Sequence, residues 1–157
     1  MEISIRAWRA SDSEKILFSW LEFCRNAARS DMRLKPDSER LLRQWLRSRF
    51  NEPASIGFVA EQDSACIGFL IGRIDEWESN PPVLEPRKIG IIDAVYVDEQ
   101  FRRSGIGARL VQHALQVMRE QNAVAVETIY DAWNDASAEL WRDAGFAPWM
   151  VHTYRTL

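Results

Sequence analysis

Val97-Asp98-Glu99-Gln100-Phe101-Arg102-Arg103-Ser104-Gly105-Ile106-Gly107-Ala108 joins an apolar, strand-like run to an amphipathic helix through a turn rich in small residues. Gly105 and Gly107 place no side chain between the backbone and an incoming group. The helix that follows presents unpaired N–H groups and the positive end of its dipole, which together make a phosphate cradle. Arg102 and Arg103 stand just ahead of it, within guanidinium reach of phosphate oxygens.

Upstream of this turn, Lys88–Val97 (KIGIIDAVYV) is a long strand whose near-continuous hydrophobicity predicts a central position covered on both faces. Asp93 breaks the run with a carboxylate where an uncompensated charge is costly. Further back, 56–61 and 66–77 read as two strands joined by Gln62-Asp63-Ser64-Ala65, a connection suited to an antiparallel hairpin, and Ile3, Ile5 and Trp8 belong to a first strand. Between them lie two amphipathic helices. The first carries Ile16, Leu17, Trp20, Leu21 and Cys24 at helical spacing after N-cap chemistry in 10–13, and the second carries Leu41, Leu42, Trp45 and Leu46 behind an Asp37-Ser38 cap. Arg40, Arg43 and Arg47 line the outer side of the second helix, which reads as a solvated face.

Downstream, Ile106, Leu110, Val111, Ala114, Leu115 and Met118 form one helical stripe, 123–129 is a strand, and 134–144 is a short helix stopped by Gly145. The residues from Phe146 to Leu157 are expected to close the chain as one or two strands. Antiparallel strands and helices come first, then a strand-helix-strand crossover, which implies an α+β sheet with helices on both sides.

The chain has 157 residues, 46% of them hydrophobic and 27% charged, which fits one globular domain spanning residues 1–157. A net charge of -3 gives no support to a nucleic-acid-binding surface. The opening MEISIRAW lacks a secretory pattern and IGFLIG is too short to cross a bilayer, so a cytoplasmic protein without a membrane partner is expected. Cys24 and Cys66 lack ligand spacing and read as buried reduced thiols, and two histidines make a metal site hard to assemble.

The segment GIGARL is only part of a dinucleotide fingerprint, since Leu110 stands at the third glycine. Glu127 lies at a suitable distance to meet a ribose, but a dinucleotide fold needs repeated strand-helix units after the fingerprint, and only one further helix follows. A phosphate loop of the GxxxxGK[ST] type is absent. Taken with the strand before it, the run from Val97 to Ala108 resembles the acyl-CoA-binding motif R/Q-x-x-G-x-G/A of the GNAT N-acetyltransferase superfamily. Independently, Asn134-Asp-Ala-Ser137-Ala-Glu-Leu140-Trp141-Arg-Asp-Ala-Gly145-Phe146 is similar to that family's Asn-x-x-Ala/Ser-x-x-Leu-Tyr-x-x-x-Gly-Phe segment. The opening SIRAWRASDSE and the hairpin FVAEQDSACIGFLIG resemble its first three strands, so the likeness covers most of the chain.

The resemblance implies a three-layer α/β/α fold with a mixed, mostly antiparallel sheet of six to seven strands and a splayed central parallel pair. It implies acetyl-CoA as cosubstrate, with no metal. Backbone amides of Arg103, Ser104, Gly105, Ile106, Gly107 and Ala108 would hold the pyrophosphate, with Arg102 beside them. Val95, Tyr96 and Val97 would line the pantetheine arm, and Asn134, Ser137 and Trp141 would complete the cofactor site. The expected activity is transfer of an acetyl group to a primary amine, of a small molecule or a peptide, by direct attack on the thioester. Asp93 is the candidate general base for the amine's proton, its alternative role being a structural carboxylate. Trp141 stands where many members carry a Tyr proposed to protonate the leaving thiolate, and indole is no useful acid. Tyr96, Tyr130 or Tyr154 replaces it, or the thiolate leaves unaided. Glu22, Asp31, Asp75, Glu76 and Glu78 share the expected acceptor region with Arg25, Arg29, Arg33 and Lys35, while Trp20, Trp77 and Trp149 are candidates for its walls. A catalytically silent acyl-CoA-binding module is the alternative, and exposed sheet edges leave room for a homodimer.

Overall fold

A computed structural model describes residues 2–27, 33–153 and 155. Five strands form one sheet in the order β1(Ser4–Ala7), β2(Ser55–Gln62), β3(Ala65–Trp77), β4(Arg87–Val97) and β5(Ala125–Thr128). Neighbours are antiparallel except β4 and β5, which run parallel. Among the described residues four α-helices, α1(Ser13–Ala27), α2(Ser38–Asn51), α3(Ile106–Glu120) and α4(Asp135–Asp143), cover the two faces.

Alternating side chains of β2 and β3 divide the core in two. Val59, Phe69 and Ile71 meet Ile16, Leu17 and Leu21 of α1 and Leu46 of α2. Phe58, Leu70 and Ile92 meet Ile106, Leu110, Val111, Ala114 and Met118 of α3 and Trp141 of α4. The three-layer arrangement follows from these two apolar faces. The β2–β3 connection is a two-residue turn, with Gln62 opposite Ala65 and both Asp63 (φ 49°) and Ser64 (φ 67°) left-handed, the geometry that matches strand twist in a tight hairpin.

Four sequence expectations are corrected. The sheet has five strands among the described residues rather than six to seven, and residues 146–153 form no strand. Proline at position 148 removes a ladder donor within that segment, and its Trp149 packs against Trp77 instead of extending the sheet edge. The Asp37 carboxylate, expected to cap α2, makes no cap hydrogen bond and pairs with Arg40. Arg43, on the same solvated face, pairs with Glu14 and Glu39. Cys24 and Cys66 are free and half-buried rather than fully buried.

Candidate active site

The β4 strand is paired on both sides only in its first half. Ile89, Gly90, Ile91 and Ile92 lie opposite Ala125, Val126, Glu127 and Thr128 of β5, and the Thr128 hydroxyl donates to the Ile92 carbonyl at 3.1 Å. Beyond that bond the two parallel strands part, and β4 continues to Val97 beside β3 alone. At the same point the β3 register slips: Ile71 faces Ala94 while Gly72 faces Ile92. Asp93 is therefore the extra residue of a β-bulge, a feature that re-aims a side chain at the point where pairing stops.

A cavity of about 210 Å³ fills the split. Asp93, Ala94, Val95 and Tyr96 form its floor, Thr128, Ile129, Tyr130 and Asp131 one wall, and Asn134, Ser137, Leu140 and Trp141 of α4 another. Trp20 and Phe23 of α1 close it with Phe69 of β3. Asp93 Oδ1 accepts from Arg73 Nη1, whereas its Oδ2 is buried with no hydrogen-bond partner among the described residues. Burial works against the Arg73 charge, but Asp93 and Asp75 more than offset it and hold the guanidinium above its ordinary value. Asp93 is thus an anchored carboxylate with one unused acceptor oxygen at the end of the split.

The turn after β4 leads into α3. A single 3-10 turn, Glu99–Phe101, ends where Arg102 donates its Nε to the Val97 carbonyl at 3.0 Å and lays its guanidinium over the Tyr96 ring, 5.9 Å from the centroid. Arg103 (φ 59°) and Gly105 (φ 80°) adopt left-handed backbone, and Gly105 is the N-cap of α3. The first α3 bond back to the turn is Arg109 N–H to the Gly105 carbonyl, at 3.0 Å. Among the described residues, the amides of Arg103, Ser104, Gly105, Ile106, Gly107 and Ala108 have no acceptor. Six consecutive free donors at the positive end of a fifteen-residue helix make an anion cradle. The Ile106 side chain is buried in the core, so that residue offers only its amide. The Ser104 hydroxyl donates to the Phe101 carbonyl and holds the turn.

On α4, Asn134 Oδ1 accepts the Ser137 amide at 3.1 Å as an N-cap, and both residues line the cavity. At the other end, Gly145 (φ 87°) donates to Arg142 and Phe146 to Trp141, the pair of bonds that reverses a chain after a helix. The Trp141 and Phe146 rings meet edge-on at 5.1 Å, which fixes the indole as a cavity wall.

The structure thus brings Asp93, Val95, Tyr96, Asn134, Ser137 and Trp141 to one cavity. Arg102 to Ala108 lie beyond the end of β4, and the Val97 side chain packs against the core beside Gly107. Tyr130 lines the cavity, and Tyr154 lies outside the described residues, as do Arg29 and Asp31. Of the three tryptophans proposed as walls only Trp20 lines it. Trp77 and Trp149 pair at 5.6 Å elsewhere and hold the Arg87 guanidinium, 4.7 and 5.0 Å from their ring centroids. Sequence reasoning missed Phe23, Phe69, Asp131 and Arg73. For Arg73 a signal existed, a charge inside the β3 run that mirrors the charge inside β4. A surface groove of about 900 Å³ along the outer side of α3 shares only Ala108 with the predicted site.

The sequence profile described as the acetyltransferase (GNAT) family matches residues 16–146. The chain belongs to that family. An N-alpha-acetyltransferase of Sulfurisphaera tokodaii is 35% identical over 91 residues, which cover 57% of this chain and 54% of that protein. The chain spans about half the length of the curated relatives it matches. A putative acetyl transferase from Pyrococcus furiosus has a TM-score of 0.79 at 18% identity, covering 99% of this chain and all of the other. An aminoglycoside antibiotic 6'-N-acetyltransferase from Acinetobacter haemolyticus has a TM-score of 0.71 at 23% identity, covering 98% and 97% of the two chains. These structural likenesses establish the fold of this GNAT chain.

Proposed function

We propose that this GNAT chain acts as a single acyl-CoA N-acyltransferase domain that moves an acetyl group from acetyl-CoA to a primary amine. The observation that carries this reading is the succession along the chain of three features: the unpartnered Asp93 Oδ2, the unpaired half of β4, and the row of free amides from Arg103 to Ala108. The amides fit the pyrophosphate of coenzyme A, and the unpaired β4 backbone from Asp93 to Val97 fits the amides of its pantetheine arm. Asn134, whose Oδ1 is taken by its own cap, offers its Nδ2 to that arm, Ser137 offers a hydroxyl, and Trp141 offers an apolar wall. When bound, acetyl-CoA supplies a thioester carbonyl open to a neutral amine.

A lysine-like ammonium has a reference pKa of about 10.4, so the acceptor must lose a proton before it attacks. Asp93 Oδ2 receives that proton, directly or through one water, while Arg73 keeps the carboxylate oriented. A thiol of pKa about 8.5 leaves as thiolate without an acid, which suits a site where Trp141 faces the cavity. Calorimetry with acetyl-CoA and a thiol-release assay across a panel of amines test the reading. Saturable acetyl-CoA binding with amine-dependent thiol release is expected. Binding without release with any amine would favour a silent acyl-CoA-binding module.

A further inference from the structure

We propose that the amine accepted at this site is carried on a small aromatic body, seated against Trp20, Phe23 and Tyr96, with the buried Phe69 ring behind them. The proposal rests on the acetyl-transfer reading and narrows it to one chemical class of acceptor. Four aromatic side chains from three elements converge on the acceptor side of the cavity. Trp20 and Phe23 stand one helical turn apart, so both project from the same side of α1. Trp20 leans on Phe69 with ring centroids 6.3 Å apart, and Phe69 stacks on Tyr96 at 5.4 Å and 21°. Asp93 lines the same cavity.

The rim has the same character. Phe23 is 45% exposed, Ile129 80% and Tyr130 40%, three large apolar side chains around one opening. Aromatic faces attract both a flat ring and an ammonium group, and an apolar rim desolvates the amine as it enters. Size and charge argue against polycations. The cavity, about 210 Å³, falls below the roughly 300 to 1,000 Å³ typical of sites for drug-sized ligands, and it also borders the cofactor residues. Its carboxylates among the described residues are Asp93, half engaged by Arg73, and Asp131. A multiply charged amino sugar or polyamine would bring more ammonium groups than these two carboxylates can pair among the described residues, and would set the surplus charge at the apolar rim of Phe23 and Ile129.

The test compares kcat/KM for 2-phenylethylamine, tryptamine, butylamine, spermidine and kanamycin with acetyl-CoA at saturation. The aryl amines are expected to exceed butylamine and both polycations by about tenfold or more, as one or two aromatic contacts supply. In Phe23→Ala, whose side chain is largely outside the core, and in Trp20→Leu, that ratio should fall several-fold through KM. A preference for spermidine or kanamycin, equal use of butylamine, or an unchanged ratio in both variants would overturn the proposal. Calorimetry of the same amines into the coenzyme A complex reads the preference without turnover. If no amine is acetylated, that measurement still decides the aromatic site, while the transfer reading alone is lost.

Discussion

Asp93 is the one inserted residue of β4 and lines the cavity where β4 and β5 part. Because it is the bulged position of β4, its carboxylate reaches Arg73 with one oxygen and leaves the other buried and unpartnered. Asp93→Asn keeps the shape and removes the proton acceptor, so kcat should fall about a hundredfold or more, the usual contribution of a general base. Full activity of that variant across the pH range would return Asp93 to a structural role. The glycines of the cradle make a second contrast. Gly105 sits at φ 80°, so Gly105→Ala should cost about 1 kcal/mol in urea unfolding as well as weaken acetyl-CoA binding. At Gly107 an added Cβ meets Leu140 at 3.6 Å, an ordinary contact. Gly107→Ala should therefore leave stability near that of the parent, and calorimetry should show lower acetyl-CoA affinity if a ligand approaches the backbone there.

Among the elements, α4 was the most legible. Asn134 as cap, Gly145 at the end and Phe146 after it are local signals, and each does in the structure what its position implies. Asn134→Ala should lose about 1 kcal/mol of stability by chemical denaturation, because the Ser137 amide loses its acceptor. The packing of α3 was legible as a stripe but its depth was not. A Cβ at Gly90 would collide with Met118 Sδ, so the Met118 side chain of α3 fills the place a β4 side chain would take, a fact no periodicity reveals. The C-terminal strands were misread because composition signals extended chain equally well for a strand and for an unpaired segment. Trp149 found Trp77 and Arg87 instead of a sheet edge.

At the scale of the whole molecule, a partly buried ion network centred on Asp12 ties the sheet edge to the start of α1. Arg6 of β1 bonds Asp12 at 2.8 and 2.9 Å and Glu61 of β2 at 2.7 Å, and the Arg9 amide donates to Asp12 at 2.7 Å. Burial pushes the Asp12 carboxyl up, but Arg6 and the Arg9 amide more than offset it and hold it below the usual carboxylate range. A carboxyl that binds its proton more weakly when folded adds stability above its unfolded value, about 3.9, and that stability is lost as pH falls through the lower folded value. Urea midpoints measured from about pH 6 to about pH 2 should therefore drop in acid, and Asp12→Asn should flatten the slope. Arg6→Met leaves a carboxylate only 7% exposed without its cation, a loss of about 3 kcal/mol at neutral pH.

The sequence by itself determined the order of the elements, the glycine turn that opens α3 and the caps of α4. Each depends on residues a few positions apart, whose periodicity, φ preferences and capping groups act locally. It also marked Asp93 as an anomaly without showing its purpose. Only the tertiary structure decided that β4 and β5 part after Ile92, that the register slip makes Asp93 the bulge, that Arg73 holds it, and that Phe23 and Phe69 join Trp20 around one cavity. Those outcomes turn on pairing between residues some twenty to fifty positions apart, such as Arg73 with Asp93 and Trp20 with Phe69. Register and the approach of α1 to the sheet are set there by the packing of whole faces rather than by any local preference.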